Sequence, residues 1–212
     1  MLHASRYVSF IGPALTVAYS SRKITSKKVT LCTGQRALSG GASYPANNPS
    51  EDRYLSYNDT SSSCRLIAVM DGHGGWQVAN YVCNSLIDKL KSKNIFEMNF
   101  RQDGSVIDKK LSDAFHDLED GYLNQVRSAY RLGFGSVASV GCCALVALHK
   151  DSHLIIANCG DCRAVLGHQS IDGNKYHAIT ITKDHNCREY LEQVLILMLF
   201  FNQFKCKYLF YR

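Results

Sequence analysis

The chain has 212 residues, enough for one domain with a sizeable core. Its composition, 46% hydrophobic and 20% charged, excludes a wholly disordered chain. The formal net charge of +6 hints at a polyanion partner, but residues 1–50 hold six basic side chains (Arg6, Arg22, Lys23, Lys27, Lys28, Arg36) and no acidic one, while 18 basic and 18 acidic residues balance from 51 onward. The body is formally neutral, so no basic groove for nucleic acid is expected.

Residues 1–40 read as a basic leader. They are acid-free and rich in Ser and Thr, a composition that fits a mitochondrial transit peptide; the alternative is a leader with no address and a cytoplasmic protein. The apolar stretch Tyr7–Tyr19 is broken by Ser and by Gly12-Pro13, and is too short to span a membrane. Residues 37–50 hold small and turn-forming residues and read as a linker. Cys64–Met70 (CRLIAVM) is a short apolar run between Ser61-Ser62-Ser63 and Asp71-Gly72, the pattern of a buried strand that ends at Asp71.

A helix follows, starting near Trp76, with Val78, Ala79, Val82, Cys83, Leu86, Ile87 and Leu90 on one stripe and Lys89, Lys91 and Lys93 at its end. A second helix starts near Ser105, where Asp108 would complete a capping box; its stripe is Ile107, Leu111, Phe115, Leu118, Tyr122 and Val126. Beyond a loop at Gly133–Ser139, Cys142–His149 and Leu154–Cys159 read as a β-hairpin, and Arg163–Leu166 and His177–Thr182 as further strands. Long helices followed by short antiparallel strands give an α+β class. The tail from 194 to 212 begins with eight consecutive apolar residues, too few to cross a bilayer.

The cysteines, nine in all, lie largely inside apolar runs, as do Cys64, Cys83, Cys142 and Cys143, and are read as small hydrophobes in a reducing compartment. Cys159-Gly-Asp-Cys162 is a lone CxxC, which by itself gives little reason to expect zinc or redox work. Asp71 is the residue with the clearest chemical promise. It directly follows an apolar strand and is itself followed by three glycines around His73, so a carboxylate and an approachable backbone carbonyl stand together at a sheet rim. Both are hard oxygen donors suited to Mg²⁺ or Mn²⁺, although the same Asp could cap the following helix.

Four segments in order resemble the type 2C metal-dependent protein Ser/Thr phosphatases. They are Glu51-Asp52, Asp71-Gly72-His73-Gly74-Gly75, the Ala157–Ala164 segment resembling the AN-x-GDSRA hairpin, and Thr182-Lys183-Asp184-His185-Asn186 resembling T-x-DH. Residues 46–53, Val137–Gly141 and Asp172-Gly173 are most similar to the mitochondrial pyruvate dehydrogenase phosphatase branch. The resemblance implies the N-terminal part of a four-layer α-β-β-α sandwich with antiparallel sheets, covering 41–193. It also implies hydrolysis of phosphoproteins, a pyruvate dehydrogenase subunit among them, by water activated by Mg²⁺ or Mn²⁺. Asp71 would bridge the ions and the Gly72 carbonyl would bind one of them. Glu51 and Asp52 would hold their waters, His73 would be the general acid, and Asp161 would help bind a further, weaker ion.

The sequence also departs from the pattern. Asn47 stands where typical members have a phosphate-gripping Arg, leaving Arg53 as the candidate substitute, and Cys143 and Cys162 stand at usual Thr and Ser positions. No Asp follows Asp184, so the second set of metal-binding aspartates is missing. The short form is therefore expected to be an impaired phosphatase with an apolar sheet face left uncovered; the alternative is a non-catalytic module that binds phosphoproteins or a partner.

Overall fold

The computed structural model describes residues 8–11, 15–30, 38–45, 47–134, 140–170, 175–186, 188–190 and 193–194, with the backbone course alone for 8–11, 15–30, 38 and 39. The sequence readings at 1–7, at 135–139, at Asp172-Gly173 and over the apolar tail past Val194 lie outside these residues. In chain order the elements are β1 (Val8–Ile11), β2 (Leu15–Thr30), β3 (Leu38–Gly41), β4 (Asp52–Asp59), β5 (Cys64–His73), α1 (Gln77–Ser92), α2 (Gly104–Arg131), β6 (Gly141–Lys150), β7 (His153–Gln169) and β8 (Tyr176–Thr180). The class is α+β. All strand pairs are antiparallel, in the order β3-β1-β2-β7-β6-β5-β4, with β8 also on β7.

The central strands β5, β6 and β7 are apolar on both faces, and successive side chains point to opposite sides. Leu66, Ala68, Met70, Ala144, Val146, Leu148, Ile155 and Ala157 face the helices. There they pack with Ala79, Val82, Leu86 and Leu90 of α1 and with Ile107, Leu111, Ala114, Phe115 and Leu118 of α2. Both helical stripes therefore face the core as expected. Val126, the last of the α2 stripe, is only partly buried. The expected capping box is absent. The helix begins at Gly104 after Asp103, without a side-chain cap, and Asp103 Oδ2 instead accepts from the Asn99 N–H at 2.9 Å.

The opposite face does not lie bare. Ile67, Leu145, Ala147, Leu154 and Ile156 are all at most 3% exposed, and they cluster with Cys162, Ala164 and Ile181. The last three come from farther along the chain. Strand β7 passes a glycine at positive φ (Gly160, +129°), and its later half runs beyond β6 to pair with β8. Strand β2 follows β7 throughout, with a register shift between Ser21 and Thr25. The Gly41 backbone lies against the Tyr54 ring, so a Cβ there would fall 2.6 Å from it, which brings β3 over β4 at the far edge. The sheet thus folds back over its own face and starts the second layer of a sandwich.

Two sequence expectations are corrected by the register. Strand β5 does not stop at Met70; it runs to His73, because Asp71, Gly72 and His73 continue to pair with Cys143, Cys142 and Gly141. Residues 157–164 are not a hairpin but a stretch of β7; the hairpin turn is Asp151-Ser152, with Asp151 at φ 54° as a two-residue turn requires.

At the other end of β5, a tight turn is tied by Asp59. Its carboxylate accepts from Ser61 Oγ (2.6 Å), from the Ser62 N–H (2.9 Å) and hydroxyl, and from the Tyr57 hydroxyl (3.1 Å). These bonds, Ser61 foremost, hold the Asp59 carboxyl well below the usual carboxylate range despite its burial. A carboxyl depressed in the fold stabilises it above the unfolded pKa, and that stabilisation is lost as pH falls toward the folded value. Asp59→Asn is therefore expected to lower the Tm near neutrality, and the gap from wild type should close as pH drops below about 4. Melts across that range check it. In the helix-side core, Leu111→Ala is expected to cost about 2–5 kcal/mol by leaving a cavity under α2, measurable by urea unfolding.

Candidate active site

The acidic residues come together through the β4–β5 ladder. Asp52 pairs directly with Asp71, and Asp71 pairs on its other side with Cys143. Directly opposed residues point to the same face of a sheet, so both carboxylates project from the face away from the helices. Like charges placed so are destabilising until a cation or proton offsets them.

Glu51 stands just before β4. Its carbonyl accepts the Gly72 N–H at 3.1 Å, and its carboxylate accepts the Asn47 side-chain N–H at 2.5 Å. Asn47, at the position where the resemblance led us to look for a phosphate-gripping Arg, thus orients Glu51. Gly72 has to be glycine for a packing reason. A Cβ there would sit 2.5 Å from the Glu51 carbonyl oxygen and 2.9 Å from that of Gly75. The turn after the strand then uses Gly74 (φ 72°) and Gly75 (φ 145°). Asp71 lies in the strand and does not cap α1, whose N-terminal flank is Trp76 with no side-chain cap.

His73 ends β5 on the same face and is exposed. Its ring lies over Gly141, where a Cβ would come within 2.1 Å of Nε2, and its Nδ1 is 3.7 Å from Cys143 Sγ. Asp71, His73 and Cys143 therefore form one file on the face that carries Asp52.

Arg53 does not join them. One residue along the strand from Asp52, it points to the helix side. It donates from Nε to Asn80 Oδ1 (3.1 Å) and from Nη1 to the carbonyls of Ser50 (2.8 Å) and Asp52 (2.7 Å), with its guanidinium 5.8 Å from the centroid of the Trp76 ring. Arg53, which the sequence suggested as a phosphate grip, is thus engaged with main-chain carbonyls and Asn80 on the helix side and is not gathered with Asp52, Asp71 and His73.

Asp161 lies beside the bend of β7 and accepts from Asn186 Nδ2 at 3.3 Å. That bond is one of a set the sequence did not disclose. Thr182 Oγ1 accepts the Ala164 N–H (2.8 Å), the Arg163 guanidinium holds Asp184 bidentately (2.8 and 2.6 Å), and the His185 N–H reaches the Gly160 carbonyl (3.4 Å). The Thr182–Asn186 segment therefore fastens the Gly160–Ala164 stretch. Only the order of the two motifs is visible in the sequence; no spacing signals their contact.

The thiols are structural. Burial foremost, then Cys143 and the charge of Asp71, push Cys142 and Cys162 well above the ordinary thiol range, and burial pushes Cys64 up to about 12. Thiols held protonated are poor nucleophiles and poor zinc ligands. The lone CxxC is no chelate either: Cys159 packs on the helix-side cluster and Cys162 on the other. Among the described residues no group of three or more His, Cys, Asp or Glu side chains is arranged to hold a metal ion. What this rim offers is hard oxygen: the Asp52 and Asp71 carboxylates on one face, with Glu51 just before β4 and the Gly72 carbonyl next along β5. This donor set fits Mg²⁺ or Mn²⁺ in kind and is short in number. No helix among the described residues is long and apolar enough to cross a membrane.

An antiparallel sheet with two helices on one face thus carries a pair of acidic residues, Asp52 and Asp71, at its rim. The family model described as protein phosphatase 2C matches residues 37–194. "Probable protein phosphatase 2C 25" of Oryza sativa subsp. japonica is 36% identical over 152 residues, covering 71% of this chain and 37% of that protein. "Probable protein phosphatase 2C 68" of Arabidopsis thaliana is 34% identical over 152 residues, covering 70% and 36%. Among solved structures, the serine-threonine phosphatase 2C of Toxoplasma gondii superposes with a TM-score of 0.54 at 17% identity, over 82% of this chain and 58% of that one, and so shares the fold. The chain belongs to the protein phosphatase 2C family. It spans about a third of the length of the curated relatives it matches.

The tight seat of Gly72 is open to test. Gly72→Ala is expected to push the Glu51 carbonyl away and destabilise the fold by about 1–3 kcal/mol. Denaturant unfolding, with amide shifts near Glu51, checks it.

Proposed function

We propose that this chain supplies the N-terminal part of a Mg²⁺- or Mn²⁺-dependent protein Ser/Thr phosphatase site. The observation that carries this reading is the direct pairing of Asp52 with Asp71, one residue from Gly72 and two from the exposed His73. Asp71 and the Gly72 carbonyl would hold the ions directly, and Asp52 and Glu51 would orient their waters. When bound, the ions supply charge neutralisation and an activated water for attack on phosphorus. His73, on the same face and open to solvent, would give a proton to the departing Ser or Thr oxygen, and Gly141 leaves room for its ring. Asp161, beside the bend of β7, would contribute to a weaker further ion.

Taken alone, this set holds cations weakly. A carboxylate or two and a carbonyl are few for ions that keep their own waters, and two close cations need several carboxylates to offset their repulsion. Turnover by the 212-residue chain is therefore low. The Asn47–Arg53 run and the basic, acid-free N-terminus support a member of the pyruvate dehydrogenase phosphatase branch, acting in mitochondria on a phosphoprotein such as a pyruvate dehydrogenase subunit.

Mn²⁺ binding and p-nitrophenyl phosphate hydrolysis test the reading. Asp71→Ala is expected to weaken Mn²⁺ binding by at least about tenfold in a folded protein, and any wild-type turnover should vanish in EDTA. Equal Mn²⁺ binding by wild type and Asp71→Ala would overturn it. Robust Mn²⁺-dependent turnover would leave the phosphatase reading in place and remove the incompleteness argument.

A further inference from the structure

Arg53 is placed in an uncommon way for a cation beside an acidic site. It lies in β4 directly after Asp52 and opposite Met70, so it faces α1 while Asp52 faces away. Its guanidinium is engaged at both ends. Nη1 bridges the carbonyls of Ser50 and Asp52, the two main-chain groups that flank Glu51, and Nε reaches Asn80 on α1. The Trp76 ring lies alongside it. One side chain thus ties the start of β4 to the first turn of the helix. The Glu51 carbonyl between those two anchors receives the Gly72 N–H, which links the same segment to the strand carrying Asp71.

We propose that Arg53 is a positioning residue: it fixes the Glu51–Asp52 backbone so that the Asp52 carboxylate stands opposite Asp71 for a divalent cation. This rests on the cation reading above. The planar, forked guanidinium is what the task needs, because two carbonyls and an amide oxygen lie in different directions around one cation. A lysine ammonium has no such fixed fork. The positive charge also lies on the far side of the strand from the cation face, so it orders the acidic residues without sitting among them.

The test uses the full 212-residue chain with Arg53→Ala, Arg53→Lys and Asn80→Ala. Three quantities are read: free Mn²⁺ by electron paramagnetic resonance during titration, hydrogen exchange at the Gly72 amide, and chemical-shift changes on adding inorganic phosphate. Arg53→Ala is expected to weaken Mn²⁺ binding about tenfold, the size typical of residues that orient metal ligands. Exchange at Gly72 should quicken while amides in the middle of α2 keep their wild-type rates. Arg53→Lys should fail to restore either property, and Asn80→Ala should move both the same way by less. If Arg53→Ala does not fold, the other two variants decide by the same readings.

Wild-type Gly72 exchange and Mn²⁺ affinity in the variants would overturn the proposal. So would loss of the phosphate response with Gly72 exchange unchanged, which would make Arg53 a phosphate ligand. If wild type and Asp71→Ala bind Mn²⁺ equally poorly, the cation reading fails separately. In that event unchanged Gly72 exchange refutes the clamp, and quickened exchange upholds it as the tether of the β4 start.

Discussion

Strand β5 is hydrogen-bonded along both edges, to β4 and to β6, and the rest of the site hangs on that double ladder. Because the bonding continues through Asp71, Gly72 and His73, these residues inherit the alternation of a strand and not the freedom of a loop. Asp71 and His73 must share a face, Gly72 must turn to the other, and Asp52 and Cys143 must flank Asp71. The ladder sets Asp52 beside Asp71, while Glu51, which lies before β4, is held by Asn47 and by its carbonyl bond to Gly72. The apolar packing of Leu66, Ala68 and Met70 against α1 and α2 holds the strand in register, since a slip by one residue would exchange the side chains of its two buried faces and turn Asp71 toward the helices.

The groups around that ladder hold backbone. Arg53 spends its donors on two carbonyls and Asn80, Asn47 holds Glu51, and the Thr182–Asn186 segment fastens the bend of β7. Charge-assisted bonds such as Arg163 to Asp184 are stronger than neutral ones and suit the fixing of an irregular stretch. The cysteines near Asp71 follow the same logic from the apolar side. Burial foremost, with the neighbouring carboxylate, disfavours the thiolate of Cys142 and Cys162, which fill space as small apolar side chains.

The fold also answers how an apolar sheet can have two buried faces. The helices cover one. On the other, Cys162 and Ala164 alternate along β7 onto the side of Leu154 and Ile156, and Ile181 packs with them. Strand β7 borders both apolar clusters through its alternate side chains, and the Thr182–Asn186 segment is bonded to its Gly160–Ala164 stretch.

The sequence by itself determined the periodic elements: the stripes of α1 and α2, the apolar heart of β5 and the hairpin of β6 and β7. It also determined, through four ordered motifs, the family and the identity of the acidic residues. These are local properties, written in spacing and residue type. The tertiary structure alone decided that β5 continues to His73, that Arg53 turns away from Asp52, that Asn47 serves Glu51, and that Thr182–Asn186 grips Gly160–Ala164. The reason is physical. A glycine-rich stretch has no strong local preference, so whether it is turn or strand depends on the partners that offer it hydrogen bonds. The face a side chain takes at a strand end depends on register with strands that are distant in sequence.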